Sequence, residues 1–254
     1  MLITARMPVP FRRPRGVVPM ILILADAHDA GALWLRAALT PLVAMPLMVL
    51  TPARLVYART IMHHMDSSGT HSCFDFADGT SLHSSSVRGV VNRMSGAPTD
   101  HFSSAKPRER LYAASELQAF LLGWLASLPC PLLNPPAPES LAGAWHSDVV
   151  ATQLAVLAGL RCRPVVVDAD DPLSNSTMVG TAHFILDGKV IGPMLPARDR
   201  DALIQFAHLW GSRLLQVETC QDEGRLTFLG ASSLPHYQRG GPKLVRAMAQ
   251  VLAT

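Results

Sequence analysis

The chain's first folded segment is encoded by Val17-Val18-Pro19-Met20-Ile21-Leu22-Ile23-Leu24-Ala25, an apolar run that ends at the polar residue Asp26. A short apolar run bounded by polar residues is typical of a strand that is buried on both faces of a sheet. Because the basic cluster of residues 12–15 precedes it, the run also has the outline of a signal peptide. We favour the strand, since a domain-like pattern of further strands and helices follows without a break.

Strand and helix patterns alternate from this run onward, which predicts an α/β fold. The predicted helices are Ala30–Leu39, Pro52–Arg59, Arg108–Leu128, Val149–Ala158, Asp199–Leu209 and Pro242–Leu252. The predicted strands are Ile21–Ala25, Leu47–Leu50, Val87–Arg93, Pro164–Asp168, Leu214–Thr219 and Leu226–Leu229, with hairpins around Asp78-Gly79 and Asp187-Gly188. The Asp-Gly pairs favour the tight turns of two-residue hairpins. Among the helices, Arg108–Leu128 has the broadest apolar face, which begins at Leu111.

A dense group of prolines divides the chain, at Pro129-Cys130-Pro131-Leu132-Leu133-Asn134-Pro135-Pro136-Ala137-Pro138. Proline interrupts both helices and central strands, so this stretch predicts a domain boundary. We expect domains at 20–133 and 134–254, packed through a shared interface that holds any ligand cleft. Residues 1–19 contain several prolines and no apolar periodicity. They are expected to form a flexible extension, with Met7 and Met20 as alternative starts.

Composition excludes several classes of protein. Apolar residues form 49% of the chain and charged residues 16%, which excludes disorder for most of its length. The net charge of +3 comes without a basic helix, so nucleic acid is not an expected partner. The apolar segment 33–50 is interrupted by Arg36, Pro41 and Pro46, and it is not expected to cross a membrane. The cysteines lack metal-ligand and redox spacing, which favours a reducing compartment and therefore a soluble, cytoplasmic protein.

The order of the patterns resembles that of the ATP-grasp carboxylate–amine ligases, especially the small ligases of peptide and natural-product clusters. The resemblance rests on a strand like Val90-Val91-Asn92-Arg93, a long helix, and a turn like Leu132-Leu133-Asn134-Pro135. It continues in the tail, where Phe228-Leu229-Gly230-Ala231-Ser232-Ser233-Leu234-Pro235 precedes Gly240-Gly241 and the last helix. The resemblance implies a pre-ATP-grasp-like α/β domain packed on a truncated ATP-grasp-like C-terminal α/β half.

Several parts of the family's ATP machinery are missing from the sequence. Members of the family usually supply two lysines from a middle lid domain, and a Glu-x-Asn-type strand holds magnesium. The lysines of this chain are Lys106, Lys189 and Lys243. Residues 169–181, between the predicted strand and the next hairpin, are too few for a lid domain. The expected Glu and Asn are replaced by residues 229–232, which offer no useful magnesium ligand, and Glu218 could hold one ion alone.

A candidate metal site is the segment Met62-His63-His64-Met65-Asp66, with His71 nearby. Imidazole and carboxylate groups are suitable ligands for zinc or iron. Adjacent histidines point in different directions on a helix or strand, so we interpret the segment as a polar loop and expect no metal site. Thr99-Asp100-His101 contains triad residue types without a nucleophile elbow. Asp170-Asp171-Pro172 is typical of a turn. No catalytic residue is therefore predicted.

The predicted ligand-binding residues are Arg93, Asn134, Trp145, His146 and Ser232. Arg93 follows an apolar strand, at the end where α/β proteins place ligand contacts. Its guanidinium should either bind an anion or pair with a carboxylate such as Asp100. Asn134 ends an element in the first half, and the other three residues lie near the ends of elements in the second half.

The expected function is that of a lid-less ATP-grasp-like protein without cofactor or ATP hydrolysis. It would act as an accessory or binding protein in peptide or natural-product biosynthesis, with a peptide or a biosynthetic enzyme as its partner. One alternative is an active ATP-dependent carboxylate–amine ligase with an unusual site. A more remote one is a metal-dependent enzyme that uses the histidines of residues 63–71. The sequence leaves open whether the chain forms a homodimer.

Overall fold

The computed structural model of the protein describes residues 18–67, 69–165 and 180–253. The helices are α1 (Ala30–Leu39), α2 (Pro52–Val56), α3 (Pro107–Ala126), α4 (Asp148–Leu157), α5 (Ala197–Trp210) and α6 (Tyr237–Leu252). The strands are β1 (Met20–Leu24), β2 (Leu47–Leu50), β3 (Thr60–Asp66), β4 (Gly69–Asp75), β5 (Ser81–His83), β6 (Val87–Asn92), β7 (Leu132–Leu133), β8 (Arg161–Cys162), β9 (Thr181–Leu186), β10 (Lys189–Ile191), β11 (Leu214–Asp222) and β12 (Arg225–Ser232). Four predictions lie wholly or mostly outside the described residues. They concern most of the extension 1–19, the end of the strand Pro164–Asp168, the turn 170–172 and most of the segment 169–181.

The first sheet is parallel, has the order β2-β1-β6-β7, and confirms the buried strand predicted from the opening run. Residues 21–24 of β1 are completely buried. Ile21 and Ile23 belong to a core cluster with α1 and α6, whereas Leu22 and Leu24 belong to a second cluster with α3. Alternate residues of a strand face opposite sides of the sheet, so β1 supplies both cores.

A three-stranded antiparallel sheet, β3-β4-β5, corrects one prediction. The segment around His63 and His64, interpreted as a polar loop, is strand β3, which pairs with β4 over seven consecutive residues. Polar and apolar side chains are mixed on both faces of β3, so its sequence lacks the alternation by which strands are recognised. Helix α3 packs against this sheet through Trp124, whose ring lies 5.0 Å from that of Phe74.

Helix α3 is less buried than its apolar sequence predicts. Its C-terminal part buries Leu121, Trp124 and Leu125, but Leu111 is 71% exposed and Tyr112 is 68% exposed. The broad apolar face predicted to begin at Leu111 is therefore wrong for the first turns, whose apolar side chains are exposed.

The second large sheet has the order β10-β9-β11-β12-β8 and lies beyond the proline-rich boundary. Helices α4 and α5 cover one face with a core that includes Phe206 and Trp210. The edge strand β8 ends at Cys162, so residues 164 and 165 of the predicted strand Pro164–Asp168 are not part of it. Both predicted hairpins are present, and Asp187 and Gly188 have positive φ, as the tight turn requires.

Helix α6 connects the two halves, because it follows the second sheet in the chain and packs against α1 and β9. It is interrupted at Gly241, whose φ is +58°, so the predicted helix Pro242–Leu252 is its second segment. A Cβ atom on Gly89 of β6 would lie 2.9 Å from a methyl carbon of Leu252, which explains the glycine in a buried strand. The domain limits 20–133 and 134–254 stay a prediction. No helix in the described ranges is long and apolar enough to cross a membrane.

Candidate functional site

The connection between β12 and α6 is the point where the predicted site residues meet. We call residues 232–236 the closing loop. Arg93 Nη1 donates to the carbonyl oxygen of Pro235 at 3.0 Å, and Asn134 Nδ2 donates to that of Ser233 at 2.9 Å. The hydroxyl of Ser232 accepts from the backbone N–H of Leu234 at 3.0 Å. Side chains from both sides of the proline-rich boundary therefore fix the course of this loop.

Asn134 is 1% exposed, and its side chain is fully used in holding backbone groups. Its Nδ2 also donates to the carbonyl oxygen of Leu214 at 2.8 Å, and its Oδ1 accepts from the N–H of Leu214 at 2.8 Å. Gly143 passes so close that a Cβ atom there would lie 2.8 Å from the Cβ of Asn134. Its φ of +103° also favours glycine. Asn134 thus holds backbone groups of β11 and of the closing loop, and its role in ligand binding stays a prediction.

Arg93 pairs with a carboxylate, as one of the two predicted alternatives has it, but the partner is Asp29, the N-cap of α1, rather than Asp100. Its Nε lies 2.7 Å from Asp29 Oδ2, and the two side chains are 11% and 17% exposed. The guanidinium also lies 5.0 Å from the ring centre of the buried Tyr237. Burial alone would raise the pKa of Asp29, but hydrogen bonds from Arg93 and the N–H of Ala32 outweigh it and lower the pKa. The guanidinium is occupied by protein groups, so an anion-binding role is not supported.

A cavity of about 460 Å³ lies between the start of α4, the end of α5 and the closing loop. Three predicted residues, Trp145, His146 and Ser232, line it, whereas Arg93 and Asn134 are not among the lining residues. Trp145 is 69% exposed at this cavity. His146 Nε2 lies 3.1 Å from the carbonyl oxygen of Trp210, and the two rings meet edge to face at 4.7 Å. The wall is therefore fixed, while the indole of Trp145 remains accessible.

Hydrogen bonds between α5 and the closing loop fix the part of the cavity lining around Trp210 and Ser233. Trp210 Nε1 donates to Ser233 Oγ at 2.9 Å and to the carbonyl oxygen of Ala144 at 3.2 Å. Ser233 Oγ in turn donates to that same carbonyl at 2.7 Å. With Ser140 and Ser147 also in the lining, the cavity combines an exposed aromatic ring with several hydroxyl groups. Such a surface suits a flexible polar chain with an aromatic or aliphatic side chain.

Glu218 is the carboxylate that the sequence analysis named as able to hold a magnesium ion. Neighbouring side chains already bind it. Both of its oxygens contact the guanidinium of Arg239 from α6, and Oε2 lies 3.1 Å from Arg239 Nη2. Gln216 Nε2 donates to Oε1 at 2.5 Å, and Gln216 Oε1 accepts from the N–H of His236 in the closing loop at 2.6 Å. Gly230 stands opposite Glu218 on β12. Nothing in the sequence around Arg239 identified it as the partner of Glu218.

Solved structures with a similar fold include two macrocyclases and a RiPP-associated ATP-grasp ligase, although no protein-family model and no curated protein matches the sequence. Macrocyclase MdnB from Microcystis aeruginosa MRC has a TM-score of 0.68 at 14% identity, over 92% of this chain and 99% of that chain. Macrocyclase MdnC from the same organism, bound with precursor peptide MdnA, has a TM-score of 0.65 at 13% identity with the same coverage. The fold is the ATP-grasp fold. It confirms the resemblance noted in the sequence.

A third structure of this fold is a RiPP-associated ATP-grasp ligase from Chryseobacterium gregarium, in complex with ADP and a leader and core peptide. Its TM-score is 0.66 at 9% identity, over 92% of this chain and 95% of that chain. At such low identities the comparison establishes the ATP-grasp fold and no activity. What this chain does must be argued from its own residues.

The histidines of β3 do not converge within this ATP-grasp fold. His63 and His64 point to opposite faces of the sheet, as adjacent strand residues must. His63 Nδ1 lies 2.8 Å from Ser72 Oγ, and His64 Nε2 lies 3.0 Å from Asp66 Oδ2. Among the described residues, no group of three or more His, Cys, Asp or Glu side chains could hold a metal ion. The absence of a metal from the working protein stays a prediction.

Proposed function

We propose that this chain is a lid-less ATP-grasp-like protein that does not hydrolyse ATP. It would serve in the cytoplasm as an accessory or binding protein in peptide natural-product biosynthesis. The observation that carries the proposal is the ion pair between Glu218 and Arg239, which lies opposite Gly230 rather than opposite a second carboxylate. Magnesium could bind Glu218 only if it displaced the guanidinium of Arg239 from the carboxylate.

Electrostatics supports the same conclusion. ATP carries several negative charges, and desolvating them without nearby cations costs many kcal/mol. Phosphoryl transfer depends on cations and metal ions that neutralise the developing charge. Lys106, Lys189 and Lys243 are all exposed, and Arg93 and Arg239 are already paired with carboxylates. The guanidinium groups of Arg93 and Arg239 are therefore engaged by carboxylates rather than free to neutralise a triphosphate.

Calorimetric titration with ATP and magnesium tests this proposal. We expect no binding tighter than about 1 mM, a limit that corresponds to ~4 kcal/mol. Phosphate release should remain at background in both the unaltered protein and the Glu218→Gln variant, which has the same shape without the charge. Micromolar affinity, or phosphate release that is abolished by Glu218→Gln, would contradict the proposal and favour an active ligase.

The partner that we propose is a peptide or a biosynthetic enzyme, bound at the cavity beside the closing loop. The accessible ring of Trp145 and the serine hydroxyls of the lining support a peptide ligand, because they combine apolar contact with hydrogen bonding. MdnC and the Chryseobacterium ligase are both described with bound peptides, which also supports a peptide partner for this chain.

Trp145→Ser is expected to weaken peptide binding at least tenfold, since aromatic residues that fill the centre of an interface typically carry more than ~1.4 kcal/mol. Fluorescence anisotropy with labelled peptides encoded in the same gene cluster measures the affinity. Val156→Ser, at an exposed position of helix α4 outside the cavity lining, is the matched control and should bind normally. Equal affinity of both variants and the unaltered protein would place the peptide elsewhere.

An active carboxylate–amine ligase is the alternative, and the ADP in the Chryseobacterium ligase is the observation that favours it. In such an activity another chain would complete the site, because Glu218 and Arg239 already engage each other. The titration with ATP distinguishes the two functions if the partner chain is included. A homodimer, the other assembly left open by the sequence, would need a surface separate from this cavity.

A further inference from the structure

The outer edge of β3 is an unusual surface for a folded monomer. The strand pairs with β4 through seven consecutive residues without a bulge, and in the part of the chain that the structure describes no strand pairs with its other side. Its sequence, Thr60-Ile61-Met62-His63-His64-Met65-Asp66, contains neither proline nor lysine. Exposed fractions along the strand reach 38% at Ile61, 42% at Met62 and 70% at Met65.

Proteins normally protect such an edge from pairing with another chain. The usual means are a short strand, a lysine or proline, a bulge, or a covering helix or loop. Strand β3 has none of the first three, and among the described residues no strand pairs with its outer edge. An open edge with apolar side chains is a template for β-strand addition.

We propose that this edge pairs with the β3 edge of a second copy of the chain, in an antiparallel arrangement about a twofold axis at His63. The axis would be perpendicular to the sheet, so side chains of odd-numbered residues stay on one face in both copies. Ile61 then lies opposite Met65 of the partner subunit, and Thr60 lies opposite Asp66 of the partner subunit. The result is a six-stranded sheet with the order β5-β4-β3-β3-β4-β5.

We choose this register, and a second copy as the partner, because the outer edge of β3 then matches itself. With the axis at Met62, Ile61 lies opposite His63 of the partner subunit. With the axis at His64, the residue opposite Ile61 is residue 67 of the partner subunit, which lies outside strand β3. The His63-centred register alone among these three pairs the two exposed apolar residues of the odd face with each other. An isologous interface needs such a surface, which matches itself under a twofold rotation.

Helix α3 gives a second reason for a folded partner rather than a single peptide strand. His63 packs edge to face on Phe120 of α3 at 5.7 Å, so α3 lies on the face of Ile61 and Met65. The same helix exposes Leu111 and Tyr112, which no strand of this chain covers among the described residues. A second copy carries its own α3 and adds a broad surface on this side, whereas a peptide strand covers the edge alone.

Sedimentation velocity of the full chain tests the assembly. We expect a dimer at about 100 μM and at least a tenfold increase in the dimer dissociation constant for Met65→Lys, because a charge would enter an apolar cross-strand pair. Met194→Lys is the matched control, since Met194 is 98% exposed and lies away from β3. A monomer at that concentration, or a dimer equally stable in both variants, would overturn the proposal.

Disulfide cross-linking tests the register. Residues directly opposite each other have Cα atoms about 4.5–5.5 Å apart, within the range of a disulfide. Ile61→Cys/Met65→Cys should therefore form an oxidised dimer, as should His63→Cys at the axis. Met65→Cys alone should not, because its partner position would lie four residues away, roughly 13 Å. Cross-linking of Met65→Cys alone at the level of the double variant would overturn this register.

Discussion

Replacing Asn134 by leucine is expected to lower the free energy of unfolding by about 4 kcal/mol. The leucine has a similar volume but leaves the N–H and C=O of Leu214 and the C=O of Ser233 without their partners. A buried polar group that loses its hydrogen bond costs about 1–3 kcal/mol, and three such groups are affected. The loss should be large because Asn134 joins the end of β7 to the first residue of β11 and to the closing loop.

Urea denaturation followed by tryptophan fluorescence measures this change. Gln221→Leu, which replaces an exposed amide in β11, is the control and should change stability by less than about 0.5 kcal/mol. Hydrogen exchange adds a local readout, since the amide of Leu214 should exchange faster in Asn134→Leu. A variant as stable as the control would mean that water replaces these hydrogen bonds and that Asn134 does not join the two halves.

Local sequence patterns predicted the buried parts of the fold well. The apolar run at 21–24 and the Asp-Gly turns carry their information within a few residues, and both are found where they were expected. Strand β3 was missed because its polar and apolar residues do not alternate, and its pairing with β4 supplies the order that its own sequence lacks. The exposure of Leu111 could not be read from α3, since it depends on how far the neighbouring sheet extends.

The sequence placed three of the predicted site residues close together, but that they bind a ligand stays a prediction. Trp145, His146 and Ser232 lie near the ends of elements and do line one cavity. The roles of Arg93 and Asn134 depend on partners 64 and 80 residues away, Asp29 and Leu214, which no local pattern identifies. Arg239 is the clearest omission, because its contact with Glu218 exists only once α6 has folded back over the second sheet.

The polar residues around the closing loop form anchors rather than an open binding site. Arg93, Asn134 and Gln216 each use a side chain to hold a backbone group of this loop. Arg93 follows β6, Asn134 follows β7 and Gln216 lies in β11, so the loop is held from three parts of the chain. A loop held in this way can present the cavity wall to a partner without reorganisation, which lowers the entropic cost of binding. This rigidity is consistent with a binding protein that performs no chemistry at the loop.

Arg93→Met is expected to cost about 3 kcal/mol at pH 7, because it leaves the carboxylate of Asp29 poorly solvated without its partner. Breaking a buried ion pair by removing one member typically costs 3–5 kcal/mol. The pair is 11% and 17% exposed, and Arg93 also holds Pro235. Arg213→Met is the matched control, since Arg213 makes a bidentate pair with Asp187 at side-chain exposures of 38% and 35%. Exposed pairs contribute about 0–1 kcal/mol, so its loss should be small.

The pH dependence separates the ion pair from simple packing. The pKa of Asp29 lies below its ordinary value of 3.8, so its contribution to stability is present above that value and is lost as the pH falls through the lowered pKa. The difference between Arg93→Met and the unaltered protein should therefore be largest near pH 7 and shrink below about pH 4. Asp29→Asn/Arg93→Met keeps the α1 cap and removes the buried charge, so it should be more stable than Arg93→Met alone. Equal losses in the single and double variants, with no change with pH, would assign the effect of Arg93 to packing against Tyr237.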